Sequence, residues 1–226
     1  MPNKKSIDVK DIVSYLKEEM KIMDKYFEGK AVETTYMIGK YTGLRISECY
    51  GLTWDCIDLE NGIITVEKQM KTQDGLVKLV SLKTTNSRRK VYMHKELQKY
   101  LTELKEKIKQ YEIDYSAQRE QNEMFILNVD ETKISSLELV NTQPNGKIQT
   151  EWAIKHHARP LKEHYKIEFK FHNLRHTYGT NLALLNTPAH ILANQMGHSK
   201  SSTTHKYYLA VSEQAIEELK NNLNQL

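Results

Sequence analysis

The 226-residue sequence predicts a mainly α-helical fold carrying one small antiparallel β-sheet. Three observations lead there. Apolar residues recur at helical spacing toward both ends of the chain, residues 62–93 switch to β-branched runs broken by turn residues, and no repeat, low-complexity linker or interior boundary divides the chain. Ile7, Ile12, Leu16, Met20, Met23 and Phe27 share one helical face, which predicts a first helix over residues 7–28. A second helix follows over 31–42 and stops at Gly43. The runs "GIITVEK", "GLVKLVSLK" and "RRKVYM" then read as strands, separated by the turn sequences "TQDG" and "TTNS". Residues 95–121 form a charged helix, 125–148 an irregular stretch with "QPNG" as a turn, and 150–226 are helical again with breaks near Pro188 and Gly197. The tail "SEQAIEELKNNLNQL", residues 212–226, is an amphipathic helix in its own right.

Composition narrows the function classes. With 39% hydrophobic residues the chain has enough apolar material for one proper core. Lys and Arg total 33 against 29 Asp and Glu, a net charge of +4 that permits a polyanionic partner without demanding one. Cys49 and Cys56 lack the spacing of a redox or zinc motif and are expected to be reduced and buried. No apolar run approaches the roughly 18 residues of a membrane span, and "MPNKKSIDVK" has no signal-peptide core, so the expected location is cytoplasmic, without a membrane partner.

Chemistry concentrates in three short stretches. In "TGLRISECYGLTWDCID", Arg45 and Glu48 stand three residues apart just after a glycine turn, a spacing that places both on one helix face. Taken alone, such a pair is an ordinary intrahelical ion pair. "FHNLRHTYGT" repeats the spacing with His172 and Arg175, backed by Leu174 and Tyr178 as core anchors. His172 and His176 also make an H-x-x-x-H pair, but Asn173 stands where the zinc-protease pattern needs its glutamate, so no metal site is assigned. His156 and His157 read as surface residues. In "QMGHSKSSTTHKYY", His198 follows a turn glycine and Tyr207 lies nine residues later.

The order R-x-x-E, a lysine on a β-hairpin, H-x-x-R, G-H and a tyrosine nine residues on resembles the tyrosine recombinases, the phage-integrase family, and among them the integrases of conjugative transposons and genomic islands. The resemblance covers residues 8 to 211, with "TGLR", "LRHT" and "GHS" intact. It implies the catalytic-domain fold of that family and a DNA strand transferase. Arg45 and Arg175 would bind the scissile phosphate, Lys83 in "LKTTNSRR" would be the hairpin lysine, His172 and His198 would fill two further family positions, and Tyr207 would be the nucleophile. Glu48 occupies the acidic position, where it holds its helix and neighbours instead of transferring protons.

The residue types suit the reaction. Attack on a phosphodiester builds negative charge that two guanidinium forks can neutralise, and preorganised donors of this kind are each worth about 3 to 4 kcal/mol in the transition state. The phenol loses its proton as it attacks, with His172 as base, and Lys83 protonates the leaving 5′ oxygen. No cofactor, metal or ATP is implied. Tyr207 and Tyr208 point about 100° apart on a helix, so one must be scaffold, and the nine-residue spacing makes that one Tyr208. The implied partners are double-stranded DNA at recombination sites and other copies of the chain, a tetramer on paired sites and a monomer when free. The family's N-terminal DNA-binding parts are expected to be absent from this chain, and the 212–226 helix is expected to dock in a neighbour.

Two rivals use the same residues differently. Residues 189–209 also scan as a helix-turn-helix in which Ser201 to Lys206 would read bases and nothing would react. A type IB topoisomerase would share the constellation and relax DNA without exchanging partners.

Overall fold

In the computed structural model, which describes residues 12–73, 75–82, 88–198 and 200–211, helices dominate and the strands form two small sheets. The helices are α1 (Lys17–Phe27), α2 (Glu33–Thr42), α3 (Ile46–Tyr50), α4 (Lys95–Asp114), α5 (Ser116–Asn122), α6 (Glu151–Lys155), α7 (Ala158–Tyr165), α8 (Phe171–Leu184) and α9 (Ala189–Met196), with residues 201–211 as α10. Lys83 and the predicted tail helix both fall outside the described residues.

The strand region departs from a single antiparallel sheet. β1 (Ile57–Asp58), β2 (Ile63–Val66) and β5 (Arg89–Tyr92) make one antiparallel sheet. β3 (Lys68–Gln73) and β4 (Leu76–Ser81) pair antiparallel in a second, which continues through β6 (Phe125–Leu127) to β7 (Lys133–Ser135). The β4–β6 pair is parallel. The stretch 125–148 is therefore not wholly irregular: two three-residue strands, each too short to show a period, sit at its start, joined by a turn in which Asp130 accepts from the Thr132 backbone N–H.

Two helix boundaries also differ from expectation. Helix α1 starts at Lys17, because Tyr15 is pulled into an extended segment against α8, its N–H donating to Thr177 Oγ1 at 2.8 Å and its hydroxyl accepting from the Lys170 N–H at 2.7 Å. Glu19 then caps the helix by accepting from the Leu16 N–H. The predicted 95–121 helix breaks at Tyr115, without a glycine or proline to announce it, so that α5 turns back and buries Arg119, which donates to the Pro144 carbonyl. Helix α2 ends as expected at Gly43, whose φ of 62° is the left-handed value glycine adopts without strain.

The main core gathers Met23, Phe27, Tyr36, Ile38, Leu44 and Leu174 with the inward faces of the sheets. Cys49 and Cys56 lie in it as free, buried thiols. His157, expected on the surface, is half-buried instead: its ring sits edge-on to Tyr26 and Phe27 and shares a 2.8 Å hydrogen bond with the Tyr26 hydroxyl. A second, smaller cluster holds Ala183, Leu192, Met196 and Tyr207 with Tyr178 and Tyr208, and it joins α8, α9 and α10. Among the described residues no helix is long and apolar enough to cross a membrane.

Candidate active site

The site grows from the end of one helix. The last carbonyls of an α-helix have no partner within it and carry the negative end of its dipole. At the C-terminus of α9 three successive carbonyls each receive an arginine: Arg89 Nε donates to Gln195 O at 3.0 Å, Arg175 Nη2 to Met196 O, and Arg45 Nη2 to Gly197 O at 3.2 Å. These arginines come from β5, α8 and the start of α3, so a turn in the last third of the chain is tied to residues 45 and 89. Gly197 allows it. Its φ is 63°, and a Cβ there would meet the Arg89 guanidinium at 2.8 Å.

Arg45 stands at the N-cap of α3, not inside the helix as its spacing suggested. Glu48 nevertheless serves it twice, accepting from the Arg45 N–H and from Nη1, both at 2.9 Å. Glu48 is only 1% exposed and also grips Arg89 with both carboxylate oxygens, at 3.2 and 2.9 Å. Burial alone would raise its carboxyl, but the bonds and charges of Arg89, then of Arg45, hold it below the ordinary carboxylate range. The carboxylate is thus a permanent anion between two cations. Arg175 is 2% exposed and also donates to Gly43 O at 2.6 Å; burial, then the neighbouring Arg45, brings its guanidinium down to about 10, so it stays charged at neutral pH. The Arg45 side chain is 42% exposed and is the open edge of the cluster.

Tyr207 lies on α10 against α8, so close that a Cβ on Gly179 would fall 2.7 Å from its ring. The ring stacks on His198 at 6.0 Å between centroids with 6° between planes, and the hydroxyl shares a 3.1 Å hydrogen bond with His176 Nδ1. Burial pushes the phenol pKa up, while Arg175 and Arg45 pull against that rise. Tyr208 faces elsewhere, and its hydroxyl donates to the Thr187 carbonyl. His198 shares a 2.9 Å hydrogen bond with Thr204 Oγ1.

The structure brings Arg45, Glu48, Arg175, His198 and Tyr207 together around the α9 end. His172 is exposed and meets His176 edge-to-face at 4.4 Å between centroids; the protein around it, then Arg175 and Arg45, keep its imidazole below the ordinary value. The histidine on the phenol is therefore His176, one turn beyond the His172 expected as base. Sequence reasoning missed His176 as more than half of a rejected zinc pair, and it missed Arg89 altogether. The i, i+4 relation to His172 was a usable signal for His176, whereas nothing local marks Arg89.

His198 makes a stability prediction possible. Burial first, then Arg175 and Arg45, push its pKa down to about 3, so the folded protein holds it neutral where the unfolded chain protonates it near 6.5. The unfolded state then binds more protons, and stability contributed by the neutral ring is lost as pH falls from about 6.5 toward 3. Thermal melts from pH 7 to 4 should show a smaller acid loss for His198→Gln than for the parent; equal slopes would mean His198 is not held neutral.

A helix-turn-helix needs only α9, its turn and α10, and leaves unexplained why three distant arginines converge on that turn. Comparison with known proteins finds relatives along most of the chain. A tyrosine recombinase XerC-like protein of Caldanaerobacter subterraneus subsp. tengcongensis is 26% identical over 210 residues, 89% of this chain and 51% of that protein. The integrase of Staphylococcus phage L54a is 26% identical over 191 residues, 82% of this chain and 49% of that protein. The chain thus spans about half the length of the curated relatives it matches. Among solved structures, the Tn1549 transposon integrase in complex with circular intermediate DNA superimposes with a TM-score of 0.70 at 22% identity, over 97% of this chain and 69% of that one. XerA recombinase follows with 0.59 at 19% identity, over 91% and 65%. At those identities the superpositions establish the catalytic-domain fold. The model of the phage integrase family matches residues 5–215, and the chain belongs to that family.

Proposed function

We propose that this chain is the catalytic domain of a site-specific recombinase that breaks and rejoins double-stranded DNA through a 3′-phosphotyrosyl intermediate, in the integration or excision of a mobile element. The observation that carries the reading is the meeting of Arg45 and Arg175 at the α9 end, close enough to Tyr207 to act on its phenol. Tyr207 Oη attacks phosphorus, the P–O5′ bond breaks, the phenolic proton leaves to an imidazole, and the freed 5′ oxygen takes a proton from Lys83. His176 is the imidazole in contact. Arg45 and Arg175 hold the nonbridging oxygens while charge develops on them. His198, kept neutral, contributes a hydrogen bond without a charge. Because the phosphotyrosyl bond conserves the energy of the phosphodiester, attack by another 5′-hydroxyl reseals the strand. Tetramers on paired sites accomplish the exchange.

The test uses nicked duplexes with randomised flanks, incubated with the protein in excess chelator without nucleotide. A nick lets the short fragment that bears the freed 5′-hydroxyl leave and traps the enzyme. A covalent protein–DNA band resistant to denaturant is expected, with its strength unchanged by added magnesium. Capture that appears only with magnesium would defeat the arginine mechanism, and relaxation of supercoiled plasmid without strand exchange would favour a topoisomerase.

A further inference from the structure

Arg89 has no part in the proposed chemistry, yet it is among the most completely enclosed charges in the molecule: its side chain is 0% exposed and that of its partner Glu48 is 1% exposed. It holds both Glu48 oxygens and the Gln195 carbonyl, and its guanidinium lies under Gly197. Isolating a guanidinium from water is costly unless paired, and a well-packed apolar pair of similar volume often serves stability as well. A stabilising role alone is therefore a weak account of this pair. Its location is more informative, because Glu48 also accepts from Arg45, and the turn Arg89 grips carries the carbonyl that Arg45 donates to and, one residue on, His198.

The geometry points to Arg89 as a positioning residue that keeps Glu48 from closing on Arg45 and fixes the turn between Arg45 and His198. Two arginines compete for one carboxylate. With Arg89 in place, each Glu48 oxygen already has a guanidinium donor, and the Arg45 guanidinium reaches only Oε1, through Nη1, leaving its exposed edge for a phosphate. Without Arg89, the buried carboxylate would have Arg45 as its remaining arginine partner among the described residues. A fork-to-fork pair is the preferred geometry for that contact, and it would turn the Arg45 donors inward. The inference rests on the reading of Arg45 as a phosphate ligand.

Four variants test it: Arg89→Lys, Arg89→Met, Glu48→Gln and the double Arg89→Met/Glu48→Gln. Lysine retains the buried charge but cannot span two carboxylate oxygens and a carbonyl. Arg89→Lys should melt within a few degrees of the parent and capture nicked DNA at least about tenfold more slowly, and Arg89→Met at least about thirtyfold, in keeping with a misplaced transition-state donor. Neutralising Glu48 removes the pull on Arg45, so the double variant should be faster than Arg89→Met by about tenfold. A purely structural role predicts that the double variant regains capture only in step with its melting temperature, so capture is compared at a temperature where every variant is fully folded. The second readout is independent of cleavage: in arginine-labelled protein, the Arg45 Nε–H resonance, assigned by its loss in Arg45→Lys, should shift in Arg89→Lys and in Arg89→Met. If Arg89→Met does not fold, Arg89→Lys carries both readouts. Parent-like capture by Arg89→Lys, a double variant no faster than Arg89→Met, or an unmoved Arg45 resonance overturns the proposal. If the parent captures no DNA, the recombinase reading fails by itself, and the resonance alone still decides whether Arg89 sets Arg45.

Discussion

Tyr207→Phe is expected to form no covalent adduct with nicked DNA, while Tyr208→Phe forms it at close to the parent rate. Adjacent residues on α10 point about 100° apart, and the structure separates them accordingly. The Tyr207 hydroxyl meets His176, its ring lies on His198, and Arg175 and Arg45 are near enough to favour its ionised form. The Tyr208 hydroxyl is spent on the Thr187 carbonyl, in the link between α8 and α9. Removing that hydroxyl forfeits one hydrogen bond, about 1 kcal/mol, and leaves an exchangeable scaffold contact. Under the proposed mechanism, removing the Tyr207 hydroxyl deletes the atom that forms the phosphotyrosyl bond. Denaturing gels after incubation with the nicked pool read both variants. Adduct from Tyr207→Phe, or its loss in Tyr208→Phe alone, would transfer the nucleophile to position 208.

The parts of the site legible in the sequence were those whose partners lie close in the chain. Arg45 with Glu48 announces itself by a three-residue spacing and His198 with Tyr207 by nine, whereas the same three-residue spacing drew attention to His172, one turn short of the His176 ring that meets the phenol. The role of Glu48 came through only in part. Its bond to Arg45 is local, but its bidentate hold on Arg89 spans 41 residues and crosses from helix to sheet, and no periodicity encodes it. The same holds for the α9 end, where carbonyls 195 to 197 are capped from residues 89, 175 and 45. Backbone acceptors carry no residue identity, so no motif could have shown that the turn before His198 is where the arginines meet. The fold followed the same rule. α2 closed on its glycine as read, while the split of the strands into two sheets comes from β5 pairing with β2, across the β3–β4 hairpin in the sequence.

Arg45→Ala and Arg175→Ala should both cut DNA at least about a hundredfold more slowly, since each removes a guanidinium worth several kcal/mol in the transition state. They should differ in stability. The Arg45 side chain is 42% exposed, and its loss leaves Glu48 still held by Arg89, so Arg45→Ala is expected to fold and melt close to the parent. Arg175 is 2% exposed and bridges Gly43 O to Met196 O, which joins the end of α2 to the end of α9. Arg175→Ala abandons two buried carbonyls, each costing about 1 to 3 kcal/mol when unsatisfied, and opens a cavity between those helix ends. Its melting temperature should therefore fall by several degrees at least, on the scale of about 2 to 4 °C per kcal/mol in a domain of this size. Arg175→Lys separates the two effects, because an ammonium can satisfy one carbonyl and retain the charge but cannot offer a paired fork to a phosphate. It should recover part of the stability and little of the cleavage, as read by thermal melts beside single-turnover capture. If Arg45→Ala cuts normally, Arg45 is a cap for the α9 end and nothing more. If Arg175→Lys regains stability and cleavage in the same proportion, the slow cutting of Arg175→Ala comes from a loosened fold, and Arg175 is not a phosphate ligand.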